Sequence, residues 1–154
     1  MDTRTRIDDL DITEQDDPTA ETILDLKAAV DAFNTARVGP DETLPLGLVG
    51  CDHAGNVQAG LYGLSYWRWL FVEHLWVAER YRGTGVGSLL LKRCEHVAEQ
   101  RGCIGVCLNT MSFQAPRFYE RHGYRQFGRL EDVPPDHARI WLAKRLEPGG
   151  LIER

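Results

Sequence analysis

The chain has 154 residues, 43% hydrophobic and 27% charged, which suffices for one domain with its own core and is short for two. Fifteen glycines and seven prolines follow no three-residue period, so collagen-like and wholly disordered chains are excluded. The net charge of −5 is uneven: residues 1–31 hold ten acids and three bases, whereas the other 123 hold thirteen acids and fifteen bases. Without a basic excess able to neutralise many phosphates, no nucleic-acid partner is expected, although single arginines remain free to hold a small phosphorylated ligand.

In chain order, Ile7, Leu10 and Ile12 alternate only weakly, so 1–16 is expected to be a short edge strand or a frayed arm of a single domain spanning 1–154. Asp17 as N-cap and Pro18 at the first helical position introduce Ile23, Leu26, Val30 and Phe33 at helical spacing, which predicts a helix ending near Val38-Gly39-Pro40. The period then changes to that of strands, predicted over 46–51, 57–66 and 69–78, with a turn at Asp52-His53-Ala54-Gly55-Asn56. Strict alternation would put Trp69, Phe71, Glu73, Leu75 and Val77 on one face of the third strand and Leu70, Val72, His74 and Trp76 on the other. Both faces are nearly apolar, as expected of a central strand covered on both sides.

Val86, Leu89, Leu90, Cys94, Val97 and Ala98 form a helical stripe over 85–101, closed by Gly102. A short buried strand over 104–109, a short helix over 114–122 and strands over 124–130 and 138–146 complete the chain. Antiparallel strands followed by strand-helix-strand units predict an α/β (α+β) fold: a mixed, mostly antiparallel sheet of six or seven strands flanked by helices on both faces. Cys51, Cys94, Cys103 and Cys107 have neither CxxC spacing nor a His pair, so no metal site is expected and they read as small apolar residues. The N-terminus lacks the apolar stretch of a signal peptide, and no window reaches the ~20 apolar residues of a membrane span. A cytoplasmic protein with reduced thiols and no membrane association is the expectation.

Residues 75–88 run from a central strand through a glycine-rich turn into a long helix, presenting backbone N–H groups where the helix dipole favours an anion, above all a phosphate. No lysine follows Gly87, which excludes a P-loop, and the third glycine comes one residue too early for a dinucleotide fingerprint. Arg82-Gly83-Thr84-Gly85-Val86-Gly87 instead fits an R/Q-x-x-G-x-G/A pyrophosphate loop. With Leu75-Trp76-Val77 before it and Phe118-Tyr119-Glu120-Arg121-His122-Gly123-Tyr124 after it, the chain from about 46 to 146 resembles the GCN5-related N-acetyltransferase (GNAT) family.

The resemblance implies a sheet that splays between its fourth and fifth strands and takes acetyl-coenzyme A in the cleft. It implies that backbone atoms of Leu75, Trp76 and Val77 contact the pantetheine arm, and that amides of Arg82, Gly83, Thr84, Gly85, Val86, Gly87 and Ser88 hold the pyrophosphate. Tyr119 matches the family tyrosine whose hydroxyl faces the thioester sulfur; a phenol of pKa about 10 stays protonated at neutral pH and can donate to a departing thiolate. Where the family often has an asparagine seven residues earlier, Ser112 stands here, and its hydroxyl could replace the amide against the cofactor; Asn109 could instead reach the pantetheine amides or the acceptor, and Asn109 or Gln114 could cap the short helix.

An amine acceptor must lose a proton before it attacks, and Glu73, in an otherwise apolar file, is the candidate base; a buried salt bridge to an arginine is its alternative, and His74 is the second choice of base. Direct attack by the amine in a ternary complex needs no covalent enzyme intermediate and no metal. The acceptor implied is a primary amine of a small molecule, cationic if the acidic residues 1–31 border the acceptor side. A non-catalytic acyl-coenzyme A sensor and a protein lysine or N-terminal acetyltransferase are the alternatives. Aromatics on a sheet edge would permit a homodimer.

Overall fold

The computed structural model describes residues 5–7 and 9–146, divided into two compact units at Asp41/Glu42. In the first unit β1 (Thr5–Ile7) and β2 (Leu10–Ile12) pair antiparallel as a two-stranded sheet of their own, so the arm is a hairpin rather than an edge strand; its first four residues lie outside the described ones. Helix α1 (Ala20–Val38) begins two residues later than expected, because Thr19, not Asp17, caps it: the Thr19 hydroxyl accepts from Thr22 N at 3.2 Å. Gly39, at φ +82°, ends it, donating to the Thr35 carbonyl.

The second unit is a six-stranded sheet of β3 (Leu44–Cys51), β4 (Val57–Tyr66), β5 (Trp69–Val77), β6 (Gly105–Met111), β7 (Arg125–Glu131) and β8 (Ala138–Arg145). Its spatial order is β3-β4-β5-β6-β8-β7, and every neighbouring pair is antiparallel except β5 and β6. Between β5 and β6 runs α2 (Val86–Gln100), and α3 (Pro116–Arg121) joins β6 to β7. Contacts of Ser88 and Glu95 on α2 with His122 and Tyr124 beyond α3 place both helices on one face.

That face holds the core. Leu70, Leu91, Cys94, Val106 and Leu142 are wholly buried there, and full burial of an apolar side chain of this size is worth about 1.5–3 kcal/mol. On α2 the inward residues are Leu90, Leu91, Cys94 and Ala98; Leu89, expected inside, is half exposed, because the stripe turns one residue further round the helix. Arg101, at the end of α2, donates to the Leu44 and Pro45 carbonyls and to Ser65 Oγ, tying the helix to the start of β3 and to the end of β4.

Two irregularities in β5 shape the site. It is entered through a two-residue turn, Trp67-Arg68, with both residues at positive φ (44° and 65°), a backbone that favours Asn-Gly. Its register against β4 then slips: Tyr62 pairs with His74 and Gly63 with Val72, so Glu73 is an extra, bulged residue. Gly63 fits because a Cβ there would lie 2.6 Å from the Phe71 carbonyl oxygen. The bulge shifts the alternation, so Leu70 and Val72 before it and Leu75 and Val77 after it all pack on the core. The continuous file expected to include Glu73 is therefore broken, and the opposite face, with His74 and Trp76 exposed, is not fully covered.

Candidate active site

Parallel pairing of β5 with β6 extends over four residues, from Trp69 with Gly105 to Val72 with Leu108. Past the bulge, β5 stays with β4 as far as Val77 with Ala59, while β6 stays with β8 as far as Met111 with Arg139. The two strands thus separate at Glu73, and backbone groups of residues 73–77 that face β6 have no partner in it. This is the splay the sequence implied. Because the arm supplies two strands instead of one, it falls between the fifth and sixth strands of the chain.

Beyond Val77 the chain makes a 3-10 turn at Glu79–Tyr81, and Arg82 folds back so that its Nε donates to the Val77 carbonyl at 3.0 Å. Arg80 in this turn lies 3.5 Å from Asp52 of the β3–β4 turn. The Asp52 carboxyl is held below its usual range, first by the Asn56 backbone N–H it accepts. Gly83 and Gly85 sit at φ +72° and +92°, with open space where a Cβ would be. L side chains rarely adopt this backbone, and the glycines turn the chain into α2 without closing its end. The first α2 bond outside the regular ladder runs from Leu89 N to Gly85 O at 2.9 Å, so the amides of Val86, Gly87 and Ser88 precede any intrahelical acceptor. Open amides at a positive helix end beside an unpaired strand end fit a pyrophosphate carrying an extended amide arm.

Gly87 has a different role: a Cβ there would lie 3.3 Å from Phe118 Cζ, so its small size lets α3 approach the first turn of α2. Tyr119 follows on α3, 9% exposed, with its ring edge-on to Phe118 and Tyr124. Burial raises its phenol above the ordinary value. Tyr124 donates to Glu95, which also accepts from Lys144 at 2.9 Å, a network that fixes the chain just after α3.

Val77 and Phe118 therefore both lie against Gly87 in the loop 82–88, and Tyr119 is the next residue of α3. Glu73 is the first residue past the strand pairing and is exposed, so the apolar enclosure expected around it is absent. His74 is also exposed and stacks on Tyr62. Asn109 is exposed on β6 just past Leu108, opposite Trp141. The Ser112 hydroxyl accepts from Ala138 N at 3.0 Å, extending the β6–β8 pairing by one residue. Neither Asn109 nor Gln114 caps α3: its N-cap is Ala115, without a side-chain bond, and Gln114 Oε1 instead accepts from Met111 N and Thr110 Oγ1.

Both ring nitrogens of His122 are engaged, with the Phe118 carbonyl and with Ser88 Oγ, a role not assigned to it from the sequence. The signal available was the i, i+4 spacing of Phe118 and His122. Desolvation raises the thiols of Cys103 and Cys107 and pushes that of Cys94 up to about 12, which disfavours these three as nucleophiles. Among the described residues no group of three or more His, Cys, Asp or Glu is placed to hold a metal, and no helix is long and apolar enough to cross a membrane.

The model of the Acetyltransferase (GNAT) domain matches residues 44–126. Over 97 residues the chain is 44% identical to the blasticidin-S acetyltransferase of Streptomyces morookaense, covering 62% of this chain and 71% of that one. It is 36% identical over 114 residues to an acetyltransferase of Agrobacterium fabrum, covering 74% and 83% respectively. A crystal structure of an acetyltransferase from Bacillus cereus superposes with a TM-score of 0.80 at 33% identity, over 86% of this chain and 97% of that one. With the splayed β5 and β6, the glycine turn into α2 and the strand-helix order around them, these likenesses make the chain an N-acetyltransferase of the GCN5-related (GNAT) family.

Proposed function

We propose that the protein transfers an acetyl group from acetyl-coenzyme A to a primary amine of a small, cationic molecule by direct attack in a ternary complex. The observation that carries this reading is the junction of three features: unpaired backbone at the end of β5, open amides at the start of α2, and Tyr119 on the helix packed against that turn. The amides of Arg82 to Ser88 hold the pyrophosphate, and residues 75–77 pair with the pantetheine arm as a strand would. When bound, the thioester supplies the activated acetyl group. Tyr119 Oη, a phenol protonated at neutral pH and raised further by burial, is a donor toward the sulfur side of the site. Glu73, exposed where the strands part, accepts the amine proton. Asn109 and Ser112 border the arm from β6.

A small-molecule acceptor is supported by the likeness to an acetyltransferase named for blasticidin S. A cationic one is supported by the net charge of −5 of the chain. The test is release of coenzyme A from acetyl-coenzyme A with a panel of amines, comparing wild type with Tyr119→Phe. Loss of turnover by about 10²-fold or more is expected of a general acid, and turnover within twofold of wild type would refute that role. Coenzyme A binding with no acceptor in the panel would point to a sensor module.

A further inference from the structure

Ser88 and His122, 34 residues apart in sequence, close a chain of hydrogen bonds between α2 and α3. His122 Nδ1 lies 2.7 Å from the Phe118 carbonyl oxygen, which can only accept, so the network assigns the proton to Nδ1. Nε2 then faces Ser88 Oγ at 2.9 Å. A neutral imidazole accepts there and an imidazolium donates; a serine hydroxyl can play either part, so the link survives a change in the charge of His122. The same two helices touch a second time where the Phe118 ring closes on Gly87, and that ring lies 4.6 Å from the His122 ring. Tyr119 stands between these attachments. Its carbonyl accepts from His122 N at 2.9 Å and from Tyr124 N at 3.1 Å, so what holds Phe118 and His122 also holds Tyr119.

We propose that the Ser88–His122–Phe118 link is a positioning latch that sets Tyr119 against the first turn of α2, and that Ser88 serves the cofactor through its backbone N–H alone. The assignment rests on reading that turn as the pyrophosphate cradle. The side chain of Ser88 is committed to α3, and its commitment couples the element that binds the cofactor to the element that carries the tyrosine. His122 touches no reacting atom and acts only through the placement of its neighbours. Displacement of a reacting group by about 1 Å can cost about 100-fold, so partial release of the latch is expected to lower kcat by about 10-fold.

The test measures kcat and, separately, acetyl-coenzyme A Kd for Ser88→Ala, His122→Ala, His122→Gln and the Ser88→Ala/His122→Ala pair. A latch predicts that both alanine variants lose kcat by a similar factor while Kd stays within twofold, and that the double variant is no worse than either single one. It also predicts that glutamine, whose amide reaches toward the position of Nε2, restores part of the loss. A rise in Kd of tenfold or more in Ser88→Ala, with kcat at saturation unchanged, would mean that the hydroxyl contacts phosphate and would overturn the proposal; so would wild-type turnover in all four variants. Amide exchange reads the latch without turnover. His122→Ala should speed exchange of the Tyr124 N–H about tenfold, and unchanged exchange would refute the latch. A wild-type protein that neither binds acetyl-coenzyme A nor acetylates any amine would instead refute the functional reading, leaving the exchange result to decide the latch.

Discussion

Replacing Gly87 and Gly105 by alanine, one at a time, sets the same added methyl group against two different neighbours. At Gly87 the new Cβ would meet Phe118 Cζ at 3.3 Å, Phe118 Cε2 at 3.5 Å and Val77 Cγ2 at 3.8 Å. Carbon atoms prefer about 3.5–4.0 Å, so a ring at the end of a side chain must yield a few tenths of an ångström. Alanine in a helix gains about 1 kcal/mol over glycine, and overpacking costs about 1–3 kcal/mol. The net destabilisation is about 0–2 kcal/mol, or at most about 8 °C in Tm for a chain of this size. At Gly105 the Cβ would meet Trp69 Cζ3 at 2.5 Å, Trp69 Cη2 at 2.7 Å and the Lys144 carbonyl oxygen at 2.8 Å. That oxygen belongs to β8, paired with β6 at this point, and cannot yield without breaking the pairing. No helix propensity offsets the clash, so the cost is at least about 3 kcal/mol. Thermal unfolding orders the two, and steady-state kinetics separates them: Gly87→Ala moves Phe118 beside Tyr119 and should lower kcat while staying folded, whereas Gly105→Ala should lose activity only in proportion to the unfolded fraction. Gly105→Ala melting within 2 °C of wild type, or above Gly87→Ala, would refute the reasoning.

Under native conditions at pH 8 iodoacetamide should modify Cys51, which is exposed, and spare Cys94, which is wholly buried; mass spectrometry showing both modified at similar rates would contradict the packing of α2. Because burial pushes the Cys94 thiol from 9.0 up to about 12, its contribution to stability is fully present below pH 9 and is lost as pH rises through about 12; Cys94→Ala should therefore flatten the alkaline fall in Tm. Exchanging Trp67-Arg68 for Asn-Gly replaces two residues that each cost about 1–2 kcal/mol in the left-handed backbone by two that tolerate it better, and should raise Tm by several degrees; a lower Tm would mean that the Trp67 ring against Tyr66 and the Arg68 bond to the Gly102 carbonyl contribute more than the turn costs.

The glycine turn could be read from the sequence because its chemistry is local. Gly83 and Gly85 adopt the left-handed backbone glycine allows, and the helical stripe begins immediately after them. Strand and helix positions were likewise set by periodicity, with ends displaced by a residue or two where a cap was decided by one hydroxyl, as at Thr19. The two-residue turn at Trp67-Arg68 carried no such signal, since neither residue favours positive φ and the strands on either side impose it. Glu73 shows the same limit at the site. Strict alternation put it in an apolar file, but a bulge is a relation between two strands, set here by Gly63 fitting against the Phe71 carbonyl.

By itself the sequence determined the order of the main elements, the glycine-rich turn into α2 and the family likeness, because each depends on residues near one another in the chain. Tertiary structure decided where β5 and β6 part, which face Glu73 and His74 take, and that His122 joins Ser88 rather than facing solvent. These follow from contacts between separate elements, nine residues apart at Gly63 and Val72 and 34 apart at Ser88 and His122, whose distances are fixed only when the sheet is paired and α2 and α3 pack on one face. A period of two or of 3.6 residues records which way a side chain points along its own element; it holds no record of which side chain of another element it will meet.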